Sequence, residues 1–237
     1  MGLNNFVAAA FLWLIPLSGF AQVADNQSGQ SGQNSQIPAG QQSKSNKRIL
    51  LIIPNYRSSP SLTNYVPLTT AEKFKLAARD SFDPGTFVLA GFFAGIAELQ
   101  DSNPSFGHGP VGAAHYYGTA TADLVIGNFM TEAIFPTLLH EDPRYFRQGT
   151  GSGLSRLGSA VGQIFWTHTD CDGRQFNFSE FVGNSAAVAI SNAYYPESRT
   201  ASDAASRLGM QVGVDMIGNI LKEFWPDIAK KFSRQRP

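Results

Sequence analysis

The chain has a single cysteine, Cys171, in 237 residues. No intrachain disulfide can form, so packing has to supply the stability. A lone thiol of this kind reads as a buried or inert group rather than a reactive one. Charge of one sign is also missing: 18 basic residues balance 18 acidic ones. There is therefore no overall field to draw in nucleic acid. After the N-terminal segment no window reaches the ~18 uncharged apolar residues of a spanning helix. Asp123, Glu132, Asp215, Lys222 and Glu223 interrupt the apolar runs. Spacings such as His-x-x-x-His or His-Glu-x-x-His are absent, which leaves His140, Glu141 and Asp142, even with Glu132, His168 or Asp170, without a metal-ligand pattern. No metal and no cofactor is expected.

What is present begins with an export signal. The apolar run Phe6 to Leu17 precedes Gly19-Phe20-Ala21, a small-x-small cleavage pattern, so residues 1–21 read as a signal peptide. Its first residues carry no Lys or Arg, and an uncleaved anchor is the alternative. Residues 22–47, rich in Gln, Ser, Gly and Asn, have almost nothing to bury and read as a disordered polar linker. The rest, 48–237, is long enough for one sizeable core and short for two. Export places the protein in the periplasm or outer cell envelope.

Within 48–237 the spacing predicts an all-α domain. "RILLIIPNY" is a short extended segment stopped by Pro54. Helices start at Thr69 or Thr70, with Glu72 in the first turn, and at Asp83 with Pro84 at the first helical position. Further helical periods follow Ala113, Leu154, Asn177 and Thr200, the first with Pro136 inside it, where a kink or break is expected. Nothing after Tyr56 has a clear strand pattern. The result is one compact bundle of about five to six Gly/Ala-rich helices.

Two internal echoes run through this pattern. "SRLGSAVG" at Ser155 to Gly162 returns as "SRLGMQVG" at Ser206 to Gly213, and "IGNFMTEAIFP" from Ile126 returns nearly as "IGNILKEFWP" from Ile217. Gly91 with Gly95, Gly158 with Gly162, Gly209 with Gly213 and Gly183 with Ala187 each share a helix face. That spacing predicts close approach of helix backbones. Asn128, Asn184, Asn192 and Asn219 lie on apolar helical faces, where interhelical hydrogen bonds are expected.

The stretches "LLHEDPRYF" and "ISNAYYP", inside "IGNFMTEAIFPTLLHEDPRYFRQGTGS" and "NFSEFVGNSAAVAISNAYYP", resemble a family of exported bacterial proteins of unknown function. The resemblance runs from about Pro67 to about Pro226 and implies one coherent domain; it implies no activity, cofactor or catalytic residue.

Two chemistries compete for the polar residues. In "HEDPRYFRQGTGSGLSRLG", Arg144, Arg147 and Arg156 flank a loop in which Gly149, Gly151 and Gly153 permit inward-turned N–H groups, and the helix starting near Leu154 points its positive end there. That pattern suits an anionic small molecule or a lipid headgroup, held by charge-assisted bonds. The bland alternative is that Glu141 and Asp142 neutralise the arginines around a connection. The enzyme alternative uses "PSFGHG", Ser155-Arg156 and "HTD", which distantly resemble the motifs of membrane-type acid and lipid phosphatases; His108 would attack phosphorus, His168 would protonate the leaving group and Asp170 would orient it. Phe106 interrupts the first motif, and the interval to His168 is too long. Aromatic pairs before proline, Tyr194-Tyr195 and Phe224-Trp225, suit contact with a membrane interface or capping of the core. The expected role is a binding or structural module of the envelope, in peripheral contact with the membrane.

Overall fold

The computed structural model of the protein describes residues 48–49, 53–55, 57–59, 65–197 and 199–233. The expected signal peptide and polar linker lie outside them.

Short polar side chains start the helices where the sequence puts them. In α1 (Thr70–Ser81), Thr69 accepts from the Glu72 N–H while the Glu72 carboxylate accepts from the Thr69 N–H, a reciprocal cap. Asp83 caps α2 (Pro84–Leu99), with proline at its start. After a turn at Pro104–Phe106, α3 (Gly109–Asn128) passes into a π-helical stretch, Phe129–Ile134, and then the short α4 (Phe135–Leu138). Ser152 caps α5 (Gly153–Phe165), Asn177 caps α6 (Phe178–Ser191), and α7 (Ala201–Ser233) carries Pro226 within it. Helix α2 packs chiefly on α3, α1 and α6 pack on the π-helical stretch, and α7 packs on α5 and α6. The bundle is all-α, as the periodicity predicts.

Small strands tie the helices together. β1 (Arg48–Ile49) pairs with β2 (Ile53–Pro54), and β3 (Ser58–Ser59) lies parallel to β4 (Tyr145–Phe146). β5 (Trp166–His168) and β6 (Arg174–Phe176) form a hairpin. The hairpin, together with β3 and β4, corrects the expectation of no strand after Tyr56. Its strands are three residues each, too short for an alternation to show. Asp172, at φ 60°, makes its turn. Cys171 stands exposed there, not buried.

Close helix approach holds at one of the glycine pairs and fails at others. A Cβ on Gly183 would come within 3.0 Å of Thr131 Cγ2 and 3.2 Å of the Met130 carbonyl, because α6 lies directly on the π-helical stretch. Among the described residues nothing lies within 4 Å of a Cβ built on Gly95, Gly158, Gly162, Gly209 or Gly213. Those faces are open, so spacing alone misread them. Gly183→Ala should therefore cost about 1–3 kcal/mol through overpacking. Gly209→Ala should gain up to about 1 kcal/mol of helix propensity. Paired thermal melts check both, and equal shifts would remove the distinction.

Candidate functional site

The backbone of the loop after α4 is set by residues in the left-handed region, His140 at φ 55°, Gly149 at 69° and Gly151 at 96°. His140 is exposed, and its carbonyl accepts from the Asp170 N–H at 2.8 Å. The Glu141 carboxylate accepts from Gln175 and from the Phe178 and Ser179 N–H groups, the last at 2.8 Å. It thus satisfies the first turn of α6 with a buried negative charge. Asp142 takes the Arg144 guanidinium through both carboxylate oxygens and accepts from the Tyr65 hydroxyl at 3.0 Å. Burial and that neighbouring carboxylate push the Tyr65 hydroxyl above its ordinary range.

Beyond Phe146 the chain wraps an anion, and the anion is the protein's own. Glu223 of α7, fully buried, accepts from Tyr145 Oη at 2.7 Å, Gln148 N at 3.0 Å, Gly149 N at 2.9 Å and Arg156 Nε at 2.7 Å. Burial alone would raise its carboxyl, but the Arg156 and Tyr145 bonds and the two N–H donors outweigh burial and hold it below the usual range. The Glu223 carbonyl, one turn before Pro226, accepts from Arg147 Nε at 2.9 Å and Arg156 Nη2 at 2.7 Å. Proline disrupts helical bonding in that turn, and these arginines supply donors to it. Arg156 also meets Asp227 at 2.6 Å and covers the Phe224 ring at 4.6 Å. The expected arginines accordingly separate: Arg147 and Arg156 converge on Glu223, whereas Arg144 belongs to Asp142 between the Tyr65 and Phe146 rings. Of the loop glycines, Gly149 presents its N–H, Gly151 turns the chain, and Gly153 opens α5.

A second polar centre lies between α1, the π-helical stretch, α6 and α7. Arg57 reaches Glu132 at 3.3 Å and Asp215 at 4.0 Å, and its Nε donates to the Pro143 carbonyl at 3.0 Å. Asp80, Glu132, Glu180 and Lys222 are buried around it. Fully ionised, the Asp80, Glu132, Glu180 and Asp215 carboxylates would exceed Arg57 and Lys222 by two negative charges. Asp80 Oδ1 and Glu132 Oε2 are buried without a donor, while the two carboxyl groups pair with each other. Such a pair closes only by sharing a proton. Glu180 pairs similarly with Asp215 and accepts from Asn184 at 3.0 Å. Burial first, and the neighbouring carboxylates second, push Glu132 and Glu180 well above the usual carboxylate range; burial likewise raises Asp80 and lowers Lys222. Among the described residues no cluster has the make-up of a metal site.

A third cluster joins α3, the end of α6 and α7. Tyr194 and Tyr195 donate to the two Asp123 oxygens at 2.5 and 2.8 Å, and Arg207 bonds Asn192 and Ser191 while covering the Tyr195 ring. Tyr194 and Tyr195 of the "ISNAYYP" stretch thus close a half-buried polar junction. Arg207 to Asn192 is an expected interhelical bond.

The histidines of the enzyme alternative lie in different settings. His108 is exposed at the start of α3. His168, on β5, packs edge-on against Phe146 at 4.8 Å, and its Nδ1 has no hydrogen-bond partner. Burial, with Arg174 nearby, lowers its pKa. Asp170 turns instead to the buried Lys73, at 2.7 and 2.9 Å, so its orienting role toward His168 has no bond to carry it. A cavity of about 20 Å³, lined by Arg57, Ser179, Glu180, Asp215, Asn219 and His168, has room for about one water molecule. His108 does not line it.

Sequence reasoning noticed Asp215, Lys222 and Glu223 only as interruptions of apolar runs, weighed Glu132 besides only as a metal ligand, and missed Arg57, Asp80 and Glu180. Charges at the apolar period of a helix were the signal that could have found Asp80 and Glu180, whereas Arg57 lies in a turn between strands and gives no such signal. Comparison with family models, curated proteins and solved structures found no match.

Proposed function

We propose that the chain is an exported cell-envelope module that acts by binding or structural support rather than by catalysis. The observation that supports this reading most is the occupancy of its best anion seat: Arg147, Arg156 and the Gly149 N–H already hold the Glu223 carboxylate and carbonyl. An external phosphate would have to displace a tethered ligand. The N-terminal apolar run and the small-x-small pattern before Gln22 support export. The competing reading, a histidine phosphoester hydrolase, needs His108 and His168 beside one free arginine.

Incubation of the purified chain with phosphomonoester and phosphodiester substrates tests the choice, alongside thermal melts in inorganic phosphate. No turnover and no saturable phosphate shift are expected. Hydrolysis abolished by His168→Ala would overturn the module reading in favour of the enzyme. Export is tested separately by cell fractionation, where the envelope-associated chain should begin at Gln22; a cytosolic chain with its first residues intact would refute it.

A further inference from the structure

Helix α2 is apolar around its whole circumference, yet among the described elements its one principal packing neighbour is α3. From Pro84 to Ala97 it carries no Asp, Glu, Lys or Arg, and neither does α3 from Gly109 to Ala122. A helix apolar on all sides normally lies in a core or a membrane. Here Val88 is 54% exposed, Phe92 36% and Leu99 89%, and Val111 and Tyr117 of α3 are exposed beside them. Gly91 lies beside the Tyr117 ring, where a Cβ would make ordinary contact at 3.6 Å.

The patch continues onto α1 with a change of chemistry. Phe82, 62% exposed, stands between α1 and α2, and Arg79 and Lys75 precede it at helical spacing, both exposed. We infer that the face formed by α1, α2 and the start of α3 docks on an anionic lipid bilayer, its apolar residues entering the headgroup boundary and Lys75 and Arg79 meeting lipid phosphates. The inference rests on the envelope reading and adds its partner. No single described helix is long and apolar enough to span a membrane; α1 and α2, which meet at a 54° bend, have that length and composition only as a pair, and the docking inferred here lays their face along the headgroup boundary. Charge favours lipid over a second copy of the chain: Lys75 and Arg79 are exposed and anionic headgroups complement them, whereas a two-fold contact that set each pair against its own mate would repel.

The exposed Cys171 gives a way to test this on the full chain. One nitroxide label is placed at Cys171, and others at position 88 in Cys171→Ser/Val88→Cys and at position 154 in Cys171→Ser/Leu154→Cys, where exposed Leu154 represents the separate apolar face of α5. Each is mixed with phosphatidylcholine vesicles with and without phosphatidylglycerol. The label at 88 should gain oxygen accessibility and lose accessibility to a water-soluble nickel complex on the phosphatidylglycerol vesicles, while labels at 154 and 171 stay in water. Lys75→Gln with Arg79→Gln should lower the equilibrium constant for the immersed form about 30-fold. A label at 88 that remains in water, immersion at 154 instead, or concentration-dependent spin–spin broadening at 88 in buffer would overturn the inference, the last in favour of a second copy. Those results leave export untouched, because export is read from fractionation alone.

Discussion

Replacing Glu223 with alanine is expected to destabilise the protein by about 3–5 kcal/mol, the range for breaking a buried ion pair from one side. In a domain of this size that lowers the melting temperature by on the order of 10 °C. The loss is large because several donors are stranded together: the Tyr145 hydroxyl, the Gln148 and Gly149 N–H groups and Arg156 Nε. The side chain is also the tie between the loop and α7. Formate or acetate should restore part of the stability of Glu223→Ala, since a ligand that binds only the folded state stabilises it by mass action. The native chain should not respond, its seat being filled. Circular-dichroism melts across a carboxylate series provide the measurement. An alanine variant that melts with the native protein would show that the seat contributes nothing.

The second large effect is a loss of stability toward alkaline pH, arising in the centre around Arg57. Glu132, Glu180 and Asp80 have raised pKa values in the folded state, so the fold holds protons that the unfolded chain releases near pH 4. Their stabilising contribution is complete below that unfolded value. It is lost as pH rises through the raised folded values, at about 1.4 kcal/mol per pH unit for each proton retained. Lys222 acts with the opposite sign: its folded pKa is lowered, so its burial cost fades as pH climbs toward the ordinary 10.5. Glu223, held below the usual range, adds an acid limb, stabilising above its unfolded value and failing as pH falls through the folded one. The expected profile rises from acid, then declines through neutral and alkaline pH. Glu132→Gln combined with Glu180→Gln keeps neutral hydrogen-bonding groups in place and should flatten the decline. Melts from acid to alkaline pH decide this, and an unchanged slope in the double variant would exclude the shared protons as its source.

Much of the secondary structure could be read from local chemistry. Thr69 with Glu72, Asp83 with Pro84, and the apolar periods that follow act within a few residues, so the starts of α1 and α2 needed no tertiary information. Even the π-helical stretch before Pro136 has a local trace. "IGNFMTEAIFP" is one residue longer than its echo "IGNILKEFWP", and the longer copy contains the π-helical turn, the form in which a helix absorbs one extra residue. The hairpin at β5 and β6 was not visible, because its strands show no period and form by pairing with each other.

The polar centres divide in the same way. The arginines and glycines of the loop made it suited to turning N–H groups around a negative charge, since positive φ and guanidinium geometry are properties of those residues, and a plain connection was equally open to them. Which charge fills it follows from the packing of distant segments. Glu223 lies 67 positions beyond Arg156, and only the packing of α7 against α5 places its carboxylate in the loop. Nor could spacing show that Arg57, Asp80, Glu132, Glu180, Asp215 and Lys222 would meet, because those residues come from separate segments. A charge in an apolar period marks a residue that needs a partner. Which partner it finds depends on contacts between distant segments, and local sequence does not specify them.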